Sequence, residues 1–335
     1  MIEVVVWFPR CFRSDGCVTG ALRFCLTPFV NFGMDPDDAR GVLLGLACGD
    51  ALGRPVEFMS ADAITTEHGR LDEMVGHGTW NQPAGTITDD TEQALCIARS
   101  VVEKRGFEPA DIAARFVAWY DSDPFDIGRM TMQSLSRLKH GDEWNEAGQQ
   151  VWESSPEGQN AGNGSVMRCP PLAIPYATDR DRLAEVSRQS SRITHADPRC
   201  TGGCAILNLT IAGLLANSET PLQDALDEVD NAPEELTTAL EPIARGESPN
   251  LQTSGYVVHS LQTALHDGLR ADTATEAIVT AVNRGGDTDT IGAIAGAVAG
   301  ARFGASELPD RWLSTIDKTE ELKTLAEQLA EMRSE

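Results

Sequence analysis

The stretch NRGGDTDTIGAIAGAVAGARFG, residues 283–304, decides how this chain is read. Its second half is almost entirely Gly and Ala, residue types that let helices approach one another closely. It cannot be a membrane span, which takes about 20 apolar residues, because the apolar run is short and ends at Arg302. Nor is it a dinucleotide fingerprint, since no strand precedes the glycines. What remains is a central core helix over 288–303, opened by the acid-rich turn Gly285-Gly286-Asp287-Thr288-Asp289-Thr290.

Outward from that helix the same period recurs. Asp35-Pro36-Asp37-Asp38 is a helix start, with a capping acid, Pro in the first turn and more acid near the positive end of the dipole. Leu43, Leu44 and Leu46 follow at helical spacing. Pro109 opens another helix whose face is Ile112, Ala113, Phe116, Val117 and Tyr120. Residues 126–140, 180–193, 201–216, 221–229, 233–245, 254–267, 272–283 and 315–332 read similarly. No run of alternating β-branched residues is bounded by tight turns. The pattern predicts an all-α fold, a compact single-domain multi-helix bundle of about a dozen helices. The longest loops are expected near 60–87 and 141–162.

Charge narrows the function classes. The 335 residues carry 51 acids against 27 bases, a formal net charge of −24. That excludes a non-specific phosphate-backbone binder and argues against docking on anionic membranes. Only 4 of the 27 bases are Lys. An acidic, Lys-poor surface suits concentrated salt, which screens self-repulsion, so a halophilic source is expected. Residues 1–33 differ from the rest, with three bases, two acids and three of the eight cysteines (Cys11, Cys17 and Cys25). This head is read as an extension, disordered or produced by a mis-called start, with Met34 as the natural beginning. Residues 34–335 are then the domain. Cys48, Cys96, Cys169, Cys200 and Cys204 form no Cys-x-x-Cys pair and are read as reduced thiols of a cytoplasmic protein.

Two acidic clusters carry the chemistry. The first is Thr88-Asp89-Asp90-Thr91, before the helix EQALCIARSVVEK; the second is the 285–290 turn. Acids at helix starts cap and complement the dipole, but both clusters combine carboxylates with hydroxyls and lead into apolar helices. An all-oxygen set suits hard cations such as Mg²⁺, Ca²⁺ or Mn²⁺, and paired ions about 3.5–4 Å apart are a known catalytic arrangement. An EF-hand starting at Asp287 fails because Val298 stands where Glu is needed. A DDxxD motif fails at Gln93.

Three further segments have the composition of site loops. Residues 49–57, GDALGRPVE, break a helix with Gly and Pro and present Asp50 and Glu57. Residues 162–168, GNGSVMR, offer backbone N–H groups at a helix start as an anion cradle. Ser191-Arg192-Ile193-Thr194-His195 ends a helix with a cation and an imidazole. Trp80, Trp144 and Trp152 could stack on a base, or pin their loops to the core.

Taken together and in order, GVLLGLACGDALGRPVEF, TDDTEQAL, GNGSVMRCPPLA, THADPR and the opening stretch resemble the ADP-ribosylglycohydrolase family. These pieces span residues 41–304. The resemblance implies an all-α domain around a central metal cleft holding two Mg²⁺ or Mn²⁺. It implies Thr88, Asp89, Asp90, Asp287, Asp289 and Thr290 as metal ligands. Asp289, Glu57 and Asp90 would be catalytic, with Asp289 or Glu57 as general base. Gly162, Asn163, Gly164, Ser165, Met167 and His195 would contact ADP-ribose. The expected partner is an ADP-ribosylated protein, of arginine or serine type, or a small ADP-ribose conjugate. No nucleic acid or membrane is expected, and the protein is expected to be a monomer. Two alternatives stay open: a non-catalytic, crystallin-like module that binds ADP-ribose, and a hydrolase of free ADP-ribose esters.

Overall fold

The computed structural model describes residues 34–332, so the expectations for the head at 1–33 lie outside the described residues. Among these there are fifteen α-helices: α1 (Pro36–Gly53), α2 (Ala61–His68), α3 (Asp89–Lys104), α4 (Pro109–Tyr120), α5 (Arg129–Lys139), α6 (Ala147–Ser154), α7 (Arg180–Arg192), α8 (Pro198–Leu215), α9 (Pro221–Glu228), α10 (Glu234–Ala244), α11 (Val257–Arg270), α12 (Ala274–Val282), α13 (Thr288–Phe303), α14 (Asp310–Leu313) and α15 (Thr319–Glu331). Extended pairing among the described residues is confined to isolated bridges, so the all-α expectation holds. The two segments expected as loops each contain a short helix. In α2 Ile64 alone is buried, a single apolar residue from which no period can be read. In α6 the buried face is Ala147, Gly148 and Val151, again too little to set a phase.

The centre is the pair α1 and α13, and here residues 49–57 correct the sequence reading. Gly49 does not break α1 but lies inside it; the helix ends at Gly53, where the 3-10 turn Arg54–Val56 with Pro55 begins. Gly41, Gly45 and Gly49 pack in turn against Gly300, Gly296 and Gly292, and Gly53 against Thr288, in antiparallel order. A methyl group added at any of the four on α1 would overlap a backbone carbonyl of α13. Glycine recurring every fourth residue on both helices therefore brings backbone onto backbone. The fold follows from this contact: α13 is buried all round from Thr288 to Ala301, with α11 and α12 also packed on it. A helix that is apolar on every side is a core helix.

The same contact sets the phase of the chemistry. Thr288 Oγ1 donates to the Gly53 carbonyl at 2.8 Å, where α1 runs into the 3-10 turn Arg54–Val56. Glu57 follows that turn, so the N-terminus of α13 and the exit of α1 are locked side by side. Arg54, fully buried, holds the 75–86 loop around this corner by donating to the carbonyls of His77, Pro83 and Thr86 at 3.0, 2.9 and 3.1 Å.

Candidate active site

Each acidic cluster sits at a helix N-terminus, and each is held there by a specific device. Thr88 caps α3, its hydroxyl accepting from the Asp90 N–H at 3.3 Å. The turn is anchored from behind by Asp50 of α1. Its carboxylate accepts from the Thr88 N–H at 3.1 and 3.0 Å, from the Thr91 N–H at 3.2 Å, and from the Thr91 hydroxyl. Burial still wins over those bonds and lifts the Asp50 carboxyl to about 6. At α13 the device is Gly285-Gly286, with φ of 75° and 81°, a conformation suited to Gly. There the Gly286 N–H donates to Met59 O at 2.8 Å and the Gly286 carbonyl accepts from Phe58 N–H at 2.7 Å. The adjoining Asp287 N–H donates to Thr253 O at 2.9 Å.

These devices bring the acids to one cavity of about 380 Å³. Glu57, Asp89, Asp90, Asp287, Asp289 and Thr290 line it, together with Gly162, Asn163, Gly164, Met167 and His195. A volume of this size fits a small ligand. Two predicted residues fall outside the lining. Thr88 is a buried cap. Ser165 is buried with its Oγ against Ser191 and Cys204, at 2.9 and 3.5 Å. Residues 163–168 also form turns rather than a helix start, and the N–H groups of Asn163, Val166 and Met167 are already bonded to backbone carbonyls. Asn163 acts instead through its side chain, donating to Asp287 Oδ2 at 2.8 Å and Ser260 Oγ at 2.9 Å.

Asp126 is a residue the sequence reading missed. It precedes α5 in the segment 123–128, DPFDIG, where no repeat or motif marks it. Oxygens of Glu57, Asp126 and Asp289 lie within 4.8 Å of one another, a spacing that suits a hard cation. Trp80 holds one of the three, Glu57. Its Nε1 donates to Glu57 Oε2 at 2.5 Å, and its ring packs 6.0 Å from that of Phe125. The indole thus pins a loop. Trp152 does likewise, donating to Asp197 Oδ2 at 2.9 Å, and Trp144 packs against the core.

Crowding shows in the proton affinities. Burial first, then repulsion by neighbouring acids, lifts Glu57 to about 8 and Asp126 to about 7. Asp89, Asp90 and Asp289 are likewise held well above the usual carboxylate range, for the same reasons. Asp90 Oδ1 is buried without a hydrogen-bond partner. An orphaned carboxylate oxygen among crowded acids is what a divalent cation would satisfy, so the residues fit such an ion. In the same lining His195 is held neutral, its pKa lowered to about 3 by burial and by the Arg168 charge. A second cavity, of about 370 Å³ between α3 and α4, contains Glu92 as its one acid and has no such cluster.

The chain has recognisable relatives. The sequence profile of the ADP-ribosylglycohydrolase family matches residues 34–335. The chain is 34% identical to the ADP-ribosyl-[dinitrogen reductase] glycohydrolase of Rhodospirillum rubrum, over 84% of this chain and 90% of that protein. It is 30% identical to an ADP-ribosylarginine hydrolase of Serratia proteamaculans, over 89% and 80% of the two chains. A solved structure described as an ADP-ribosylglycohydrolase-related protein complex superposes with a TM-score of 0.74 at 32% identity, covering 89% of this chain and 98% of that one. With the glycine-packed all-α fold and the acid-lined cavity, these likenesses place the chain in the ADP-ribosylglycohydrolase family, among glycosidases.

Proposed function

We propose that the chain is a divalent-metal-dependent hydrolase that cleaves the bond between the distal ribose C1 of ADP-ribose and a protein side chain, of arginine or serine type. The observation that carries this reading is the cavity's polarity. Acids from four separate places in the chain meet in one cavity, and a glycine loop with a neutral histidine shares its lining. The acids would hold two Mg²⁺ or Mn²⁺ through Asp89, Asp90, Asp287, Asp289 and Thr290, with Thr88 behind them and Asp126 added. When bound, such ions supply positive charge that offsets the carboxylates and polarises oxygen ligands.

The chain's own residues do the rest. Gly162 and Gly164 carry no side chain, so a diphosphate can lie against the loop, and Asn163 braces that loop to Asp287. The transition state at C1 resembles an oxocarbenium ion, and the neighbouring carboxylates favour its positive charge. Asp289 or Glu57 accepts the proton of the attacking water as general base. The products are ADP-ribose and the restored side chain.

The test is ADP-ribose release from ADP-ribosyl-arginine, ADP-ribosyl-serine and acetyl-ADP-ribose, with Mg²⁺ or Mn²⁺, at low and high salt. Release from a side-chain conjugate that a chelator abolishes is expected. Binding of ADP-ribose with release from none of the three would refute the reading.

A further inference from the structure

We infer that Arg168 is a positioning residue that orients Asp89 and His195 of the cavity at once, presenting His195 to the ligand as an Nε2–H donor. Arg168 follows the glycine loop and is fully buried, its guanidinium 4.3 Å over the Phe116 ring. Its two terminal nitrogens point opposite ways. One donates to Gln93 Oε1, the other to Thr194 Oγ1 at 2.6 Å.

An arginine can only donate, which sets the direction of both of these contacts. Burial lowers its pKa to about 10, so it remains charged at neutral pH. Because Gln93 turns its carbonyl to Arg168, its amide N–H₂ faces Asp89, donating to Oδ2 at 3.3 Å. One acid of the cluster is thereby held as an acceptor, in a set orientation. On the other side Thr194 Oγ1 accepts from Arg168 and still has a proton to give, for which His195 Nδ1 is the one acceptor among its partners in the described residues. His195 Nδ1 lies 2.7 Å from that hydroxyl and receives it. A neutral imidazole accepting at Nδ1 carries its proton at Nε2.

Nε2 faces the glycine loop. A methyl group at Gly164 would meet the imidazole at 2.9 Å from Cε1 and 3.1 Å from Nε2. Glycine there leaves the N–H open to an acceptor atom, such as a phosphate oxygen of the ligand. The same arrangement removes His195 from two other roles. Without a lone pair at Nε2 it is neither a base toward the cavity nor a metal ligand through that atom. The ligand's identity rests on the function proposed above; the tautomer does not.

Two-bond ¹H–¹⁵N NMR of the imidazoles in the ligand-free protein tests this, with His195 assigned by the signals lost in His195→Gln. The wild type should show a bare Nδ1 and a protonated Nε2. Thr194→Val, which removes the relaying hydroxyl, should populate the Nδ1–H form and weaken ADP-ribose binding roughly tenfold. Thr194→Ser should keep the wild-type signature. Arg168→Lys should mix the tautomers and weaken Mn²⁺ binding measured by calorimetry. An Nδ1–H imidazole in the wild type overturns the inference even if no variant folds, and so does an unchanged tautomer in a folded Thr194→Val. An Nε2–H imidazole in a protein that does not bind ADP-ribose supports the positioning role while refuting the ligand assignment.

Discussion

Gly296→Ala probes the contact on which both fold and site depend. The added methyl would overlap the Gly45 carbonyl, and the obstruction is backbone, so no side chain can rotate out of the way. Two effects oppose each other. Alanine in a helix interior gains up to about 1 kcal/mol over glycine. Overpacking a tight core costs about 1–3 kcal/mol, and this site lies at the severe end because the two helices must part. The expected net loss is roughly 2 kcal/mol, about 4 °C in Tm for a domain of this size. Gly45→Ala meets Gly296 from the other side and should cost a similar amount. Gly106→Ala is the control, since nothing lies within 4 Å of the added group. Parting α1 from α13 also moves Asp287 and Asp289 away from Glu57, so Mn²⁺ affinity by calorimetry should fall with the Tm. A Gly296→Ala protein as stable as the Gly106→Ala control would refute the backbone-contact argument.

Other outcomes follow from single contacts. Asp50→Ala should orphan the buried donors of Thr88 and Thr91, at roughly 1–3 kcal/mol for each donor left without a partner, lowering the urea midpoint with an unchanged slope. Asp126→Asn should weaken Mn²⁺ binding about tenfold, since it removes one charge from the Glu57–Asp126–Asp289 set; unchanged affinity would put Asp126 outside the metal site. The metal-free protein should grow more stable as pH falls from 8 towards 6. Glu57 and Asp126 have folded pKa values of about 8 and 7, above those of the unfolded chain, so the folded state binds the extra protons and loses that stability as pH rises. Saturating Mg²⁺ should flatten the trend, and a metal-free Tm that instead rises with pH would contradict the raised values.

Long periodic helices and both acidic clusters were legible in the sequence because their signals are local. Pro36 and the acids around it announce α1, and the small residues of α13 announce a core helix. What stayed hidden depends on contacts between distant segments. Gly49 and Gly53 look like helix breakers until α13 presents Gly292 and Thr288 against them. Asp126 stands in a loop with no motif, and only the fold brings it to Glu57 and Asp289. Asp50 was noticed as an acid, but its work of holding the Thr88–Thr91 turn is invisible without that turn's position. Ser165 was misplaced because a Gly-Asn-Gly-Ser loop does not tell which way its hydroxyl points. Short helices such as α2, with one buried apolar residue, have no period to read.

The central claim is that the converged acids perform the cleavage, and Asp289→Asn tests it most directly. The substitution keeps size and shape while removing a charge that burial already disfavours, so fold and Tm should be preserved. On whichever conjugate the wild type cleaves, with Mg²⁺ or Mn²⁺ present, ADP-ribose release should fall at least about a hundredfold. Release at the wild-type rate from a folded Asp289→Asn protein would contradict the account.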